Sequence, residues 1–298
     1  MTPIKGSIVA IVTPMLSDGA LDYPALDRLL DWHIESGTDA IVAVGTTGES
    51  PTVTPQENVD LVAHCVKYVA KRVPVIAGTG SNSTEEALYF TESARRAGAD
   101  ACLLVTPYYN KPSQEGLYQH FKLIAETVDI PQILYNVPGR TACDLQLATV
   151  QRLAKLKNIV AIKDATGNLA RGIELVKTFG DSFAVYSGDD AISRELILAG
   201  GAGTISVTAN VAPVLMAKMC ALALAGDAAG AAAIDAKLAL LHKNLFLEAN
   251  PIPVKWALQQ MGRIQHGIRL PLVELDPKYH VQVTEALLQA GIALPDAA

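Results

Sequence analysis

Eight short apolar runs punctuate this chain, at positions 7–12, 40–44, 75–77, 101–105, 132–135, 159–162, 183–186 and 203–205. They are rich in β-branched residues and do not alternate with polar ones, the pattern of strands covered on both faces. Between them lie longer amphipathic stretches such as 23–36, 56–71, 84–97, 114–128 and 171–179. Strand signals each followed by a helix signal predict an α/β fold. A closed (β/α)8 TIM barrel fits that order, with an open doubly wound sheet as the competitor.

A junction recurs at Ser36-Gly37-Thr38-Asp39-Ala40 and Ala97-Gly98-Ala99-Asp100-Ala101, with Ala199-Gly200-Gly201-Ala202 as a looser copy. Glycine just past a helix end supplies the left-handed conformation that stops the helix, so these read as helix-to-strand turns. After about residue 212 the strand signals cease, and 212–225, 228–249, 253–260 and 279–290 all read as helices. The first completes the eighth unit. The expected division is a catalytic barrel over 1–225 and a C-terminal helical segment over 226–298 that packs on it, since no Ser/Gly/Pro-rich linker intervenes.

Composition narrows the function class. Half of the 298 residues are hydrophobic, only 5% are aromatic, and the formal charge is −6. An acidic chain without basic runs is a poor match for a phosphate backbone, which argues against nucleic acid. Cys65, Cys102, Cys143 and Cys220 form no CxxC pair and sit in apolar stretches, so buried free thiols are expected. The start has no charged segment followed by an apolar one, and no run reaches membrane-spanning length. A cytoplasmic protein without membrane partners is the expectation.

In a barrel, catalytic groups come from the C-terminal ends of the strands and the loops beyond. There the sequence carries Gly45-Thr46-Thr47-Gly48-Glu49-Ser50, Gly78-Thr79-Gly80, Thr106-Pro107-Tyr108-Tyr109-Asn110, Tyr135-Asn136-Val137-Pro138-Gly139-Arg140, Lys163-Asp164 and Ser187-Gly188-Asp189-Asp190. Lys163 closes an apolar strand. Burial there would disfavour its ammonium form and free the amine as a nucleophile toward a small 2-oxo acid. The plainer reading is an ion pair with Asp164 or Asp189. Tyr135, at the matching end of the neighbouring strand, favours the chemical one, because a phenol beside an imine can shuttle protons. The Thr46-Thr47 turn suits a carboxylate, and Arg140 can grip a second one bidentately. None of the six histidines falls at a strand end or forms an i,i+4 pair, which disfavours a zinc aldolase. Two acids after strand seven would repel phosphate, so an unphosphorylated acid is expected. Lys255, at a proline-punctuated helix start, reads as structural and far from the strand ends.

With these residues in view, the chain resembles the dihydrodipicolinate synthase family of pyruvate-dependent class I aldolases over essentially its whole length. Gly45-Thr46-Thr47-Gly48-Glu49, Tyr135-Asn136-Val137-Pro138 and Ile162-Lys163 carry the superfamily pattern. Pro107-Tyr108-Tyr109-Asn110-Lys111-Pro112, Arg140, Ser187-Gly188-Asp189-Asp190, Ile205-Ser206-Val207-Thr208-Ala209-Asn210 and Asn250-Pro251-Ile252-Pro253-Val254-Lys255 mark the subgroup. The resemblance implies a lyase without cofactor or metal. It would condense pyruvate with L-aspartate 4-semialdehyde in lysine and diaminopimelate synthesis, through a Schiff base at Lys163. It further implies a proton relay of Tyr135, Thr46 and Tyr109, with Tyr109 crossing from a neighbouring subunit of a homotetramer built as a dimer of dimers. Thr47, the backbone at Ile205, Gly188 and Arg140 would bind substrate. A lysine-binding regulatory site would comprise Ser50, Asn82, Glu86 and Tyr108. The pattern departs at Pro51, Pro55 and Asn58; enteric members carry histidines at the latter two, so lysine sensitivity is not carried over.

Two other readings stay in play. N-acetylneuraminate lyases and 2-keto-3-deoxy sugar-acid aldolases share Lys163 and Tyr135 but want hydroxyl-binding groups in place of the Tyr108-Tyr109 pair and Arg140. A catalytically silent barrel used as a sensor would have lost Lys163 or Tyr135.

Overall fold

The computed structural model describes residues 4–295. The first three residues, part of the start weighed above for a leader, lie outside them. Eight parallel strands close into a barrel in chain order: β1 (Gly6–Ala10), β2 (Ala40–Ala43), β3 (Val75–Gly78), β4 (Ala101–Val105), β5 (Gln132–Asn136), β6 (Ile159–Asp164), β7 (Ala184–Ser187) and β8 (Gly203–Ser206), with β8 pairing back onto β1. Each matches a predicted run to within about three residues at either end, and closure excludes the open sheet. The surrounding helices are α1 (Tyr23–Glu35), α2 (Pro55–Val69), α3 (Thr84–Ala97), α4 (Gln114–Thr127), α5 (Pro138–Thr141), α6 (Leu147–Leu153), α7 (Leu169–Phe179), α8 (Ser193–Leu198) and α9 (Pro213–Leu224). Three more follow: α10 (Ala228–Asn244), α11 (Ile252–Gln260) and α12 (His280–Gln289).

Local chemistry explains the boundaries. Thr54 and Glu57 form a reciprocal capping box at the start of α2, with Pro55 in the first turn where its missing N–H costs nothing. Gly98 stops α3 at φ +86°, the left-handed turn expected from the recurring junction. The sequence pattern did not single out α5, α6 and α8. They have four, seven and six residues and no side-chain N-cap, too short for a 3.6-residue period to register.

Alternation along the strands divides the apolar residues into two sets. Ile8, Ala10, Val42, Ile76, Leu103, Ile133, Ala161 and Ile205 fill the barrel interior. Their chain neighbours Val9, Ile11, Ile41, Ala77, Cys102, Leu104, Leu134 and Ile162 pack outward beneath the helices. That outer cluster runs without interruption into Leu238 and Leu241 of α10, Val254 and Leu258 of α11, and Val283 and Leu287 of α12. All four cysteines are buried and unpaired. Among the described residues, no helix is long and apolar enough to cross a membrane, and no cluster of His, Cys, Asp and Glu could hold a metal ion.

His33, fully buried in α1 beside the Trp32 ring, has Thr38 Oγ1 3.4 Å from Nδ1, while Nε2 has no hydrogen-bond partner. Burial, with a smaller contribution from the Arg263 charge, pushes its pKa down to about 3. The unfolded ring takes up its proton near pH 6.5. The stability tied to a neutral His33 is therefore complete above that pH and drains as the pH falls toward 3, at up to about 1.4 kcal/mol per pH unit. His33→Leu is expected to flatten the decline between pH 6.5 and 4 in denaturant-unfolding curves; parallel declines in variant and parent would refute this.

Candidate active site

A cavity of about 550 Å³ opens at the C-terminal ends of the strands. Lys163 lies on its wall because it shares the inward parity of Ala161 two residues earlier on β6. It is 6% exposed and lies level with Tyr135 on β5 and Tyr186 on β7. Its Nζ stands 4.3 Å from the centre of the Tyr135 ring. Among the described residues it makes no ion pair. Asp164, one residue on, faces outward and binds the Arg171 Nε at 3.0 Å, while Asp189 caps the Ala191 N–H. Opposite parity removes Asp164, and Asp189 is engaged by the Ala191 N–H, so neither carboxylate of the plainer reading pairs with Lys163.

Of the eight residues expected at the substrate, six line this one cavity: Thr46, Thr47, Tyr135, Arg140, Lys163 and Gly188. Ile205 does not. It is buried in the interior layer of β8, and Val207 takes the wall position two residues later. Tyr109 also stands apart, 89% exposed on the loop after β4 with φ +73°. Gly188 is required where it sits. A Cβ there would lie 2.8 Å from Lys163 Cε and 2.6 Å from Ala165 Cβ, so any side chain would displace the lysine stem.

The loop bearing Thr46 and Thr47 is a tight 3-10 turn, Thr46–Gly48, closed by Glu49 at φ +59°. A left-handed non-glycine residue costs roughly 1–2 kcal/mol, which the surroundings offset. The Glu49 carboxylate is ion-paired with Lys255 and accepts the Arg269 N–H at 3.2 Å. Lys255 was expected to lie far from the strand ends. The segment at 250–255 instead lies against the β2 loop, through Asn250 on Thr47 and through Lys255, 4% exposed, on Glu49. Burial holds Lys255 below the ordinary lysine range despite the pull of Glu49. Asn250 donates from Nδ2 to Thr47 Oγ1 at 3.0 Å, and its carbonyl accepts from Arg140 Nη2 at 3.1 Å.

Sequence reasoning missed one wall of the cavity. Ala239, His242, Lys243 and Phe246, together with Asn250, line it from the C-terminal segment. The first four recur at i, i+3, i+4 and i+7, a helix face that was visible in the sequence, but nothing there said what it faced. The acidic pair after β7 also behaves differently from expectation. Asp189 lines the cavity, but Asp190 is buried and accepts N–H bonds from Val207 and Thr208 at 3.0 and 2.8 Å. With Arg140 and Lys243 also on the wall, the lining favours anions.

A second cavity, of about 220 Å³, shares Gly45, Thr46, Leu103 and Tyr135 with the first. Ser50, Glu86 and Tyr108 line it, as do Pro51, Pro55 and Asn58. Asn82 is not in its wall; the Asn82 carbonyl accepts from Asn110 Nδ2 at 2.9 Å.

The model of the dihydrodipicolinate synthetase family matches residues 3–290. The chain belongs to that family. A 4-hydroxy-tetrahydrodipicolinate synthase of Nitrosomonas eutropha is 61% identical over 290 residues, 97% of this chain and 99% of that one. Among solved structures, the chloride-inhibited dihydrodipicolinate synthase of Acinetobacter baumannii, complexed with pyruvate, is 56% identical with a TM-score of 0.97. The match covers 98% of this chain and 100% of that one. A Cyanidioschyzon merolae enzyme of the family with lysine bound is 39% identical with a TM-score of 0.94, covering 97% and 99%. Family membership and the full-length barrel agree, and the sugar-acid lyase and silent-sensor readings are not favoured.

Gly188→Ala is expected to cost about 1–3 kcal/mol, the usual penalty of overpacking, and to swing the Lys163 amine away from Tyr135. Denaturant unfolding and a crystal structure of the variant check both, and an unmoved amine would show that the glycine is dispensable.

Proposed function

We propose that this chain catalyses the 4-hydroxy-tetrahydrodipicolinate synthase reaction, condensing pyruvate with L-aspartate 4-semialdehyde in lysine and diaminopimelate synthesis. The enzyme is a lyase. The observation that carries this reading is Lys163 itself, an inward-facing, nearly buried amine with no carboxylate partner, set against the Tyr135 ring inside a cation-lined cavity.

Lys163 Nζ attacks the pyruvate ketone carbon, and the carbinolamine loses water to give an imine. Removal of a methyl proton forms the enamine. Its carbon adds to the aldehyde carbon of the second substrate, whose oxygen takes up a proton. The amine of that substrate then attacks the imine carbon, closes the ring and releases Lys163. Tyr135 carries protons in these steps, relayed through Thr46 and through Tyr109 of a neighbouring copy. The full exposure of Tyr109 supports that role, because a ring in solvent on one copy is free to enter the cavity of another. The assembly proposed is a dimer of dimers, as the family resemblance implies. Thr47, Gly188 and the backbone around Ile205 receive the pyruvate carboxylate. Arg140, already oriented by the Asn250 carbonyl, receives that of the semialdehyde.

The second cavity is where lysine would bind. Ser50, Glu86 and Tyr108 support it, whereas Pro55 and Asn58 offer fewer polar groups than histidines would, so inhibition is expected to be weak. Four unpaired thiols suit the reducing cytoplasm.

Borohydride reduction in the presence of pyruvate is expected to attach one pyruvate-derived mass to the peptide bearing Lys163, and Lys163→Ala to abolish it; labelling of another lysine would remove the mechanism. Arg140→Ala should leave that trapping intact and raise KM for the semialdehyde about 10- to 100-fold, the loss of a charged hydrogen bond. Tyr109→Phe should lower kcat about 100-fold, the scale of general acid–base help, with trapping retained. An unchanged kcat takes Tyr109 out of the relay.

A further inference from the structure

Lys255 touches nothing in the cavity, yet it is among the most deeply buried charges in the molecule. Lys255 and Glu49 are 4% and 1% exposed, and their charged groups meet in an ion pair. Isolating two charges from water in this way is costly, and apolar residues of similar size would commonly serve stability as well or better. The pair therefore calls for a reason other than stability, and its position offers one. Glu49 is the residue that closes the Thr46–Gly48 turn. Lys255 lies one turn into α11, five residues after Asn250. The segment at 250–255 thus grips the β2 loop at two points: Lys255 on Glu49 behind the turn, and Asn250 Nδ2 on Thr47 Oγ1, 3.0 Å away, in front of it. The same segment holds Arg140 through the Asn250 carbonyl at 3.1 Å.

We propose that the Lys255–Glu49 pair is a positioning device that sets both carboxylate-binding groups, Thr47 and Arg140, in one register, so that Lys255 governs substrate affinity without contacting substrate. A buried ion pair does what an apolar contact cannot. Parting its two groups leaves each charge unpaired and away from water, so the contact resists separation far more strongly than apolar packing does. On the far side, Glu49 Oε2 also accepts the Arg269 N–H. Arg269 in turn clasps Glu57 through two bonds of 2.7 Å, which ties the turn to the head of α2 and leaves it no slack. Burial holds the Lys255 ammonium below its ordinary range, yet the Glu49 carboxylate beside it favours the charged form on which the register depends.

The proposal rests on the carboxylate-binding reading of Thr47 and Arg140, and its test separates the two. The double variant Glu49→Leu/Lys255→Met replaces the pair by apolar groups of similar size, and Lys255→Arg keeps the charge with a longer, planar head. The double variant is expected to fold and to form the Lys163 adduct with pyruvate and borohydride at saturating pyruvate. Its KM for both substrates should rise at least fivefold while kcat changes less than threefold. Crystal structures of parent and variant should show the Asn250–Thr47 bond lengthened or lost. A folded double variant with both KM values within twofold of the parent, and that bond intact, would overturn the proposal. If the double variant does not fold, Lys255→Arg decides: raised KM values in a folded protein support the register, and unchanged ones refute it. Failure of the parent to trap pyruvate would instead sink the catalytic reading, while the bond between Asn250 and Thr47 would still report on the pair.

Discussion

The closed parallel barrel imposes one rule on every strand residue: odd and even neighbours face opposite media. Inside, side chains meet each other in a dry, narrow core; outside, they meet helices. Lys163 and Asp164 are separated by that rule alone. The carboxylate goes outward to Arg171, and the amine goes inward with no counter-ion. A lysine able to reach Asp164 would be held as one half of an ion pair, and the opposite faces of the strand prevent that contact.

The distribution of charge around the mouth continues the same logic. Acidic groups near the site are engaged elsewhere: Asp190 by the Val207 and Thr208 amides, Glu49 by Lys255, Asp164 by Arg171. Arg140 and Lys243 on the wall have no ion-pair partner among the described residues. An acidic chain, with 30 Asp and Glu against 24 Lys and Arg, thereby presents a locally basic pocket. The C-terminal helices belong to this arrangement. They share the outer apolar cluster with the barrel, and α10, α11 and the connection between them bring His242, Lys243, Asn250 and Lys255 to the strand ends. What reads along the chain as an appendage is one wall of the cavity and the brace behind another.

Much of this was legible in the residues. Eight apolar runs without alternation read as strands buried on both faces, and helices between them fit parallel connections, in a closed barrel or an open sheet. Strand-end position then selects Lys163, Tyr135, Thr46, Thr47, Arg140 and Gly188, because loops after the strands are where a barrel leaves room for ligand. Side-chain chemistry did the rest, pairing an amine with a phenol and an arginine with a carboxylate. The short helices α5, α6 and α8 were illegible because a period needs about two turns to be seen.

Tertiary structure alone decided which groups meet across long stretches of chain. No local pattern says that Lys255 closes on Glu49, that Asn250 bridges Thr47 and Arg140, or that α10 turns its His242 and Lys243 toward the cavity. Nor could spacing reveal that Asp190 turns from the pocket toward two amides while Asp189 stays, or that Ile205 lies one layer below the wall. The sequence by itself determined periodicity, and with it the α/β class and the residues at each strand end, whereas closure into a barrel was decided by the pairing of β8 with β1. Pairings between segments about 200 residues apart depend on how the closed barrel and its last helices pack, a property of volume and geometry that no local window contains.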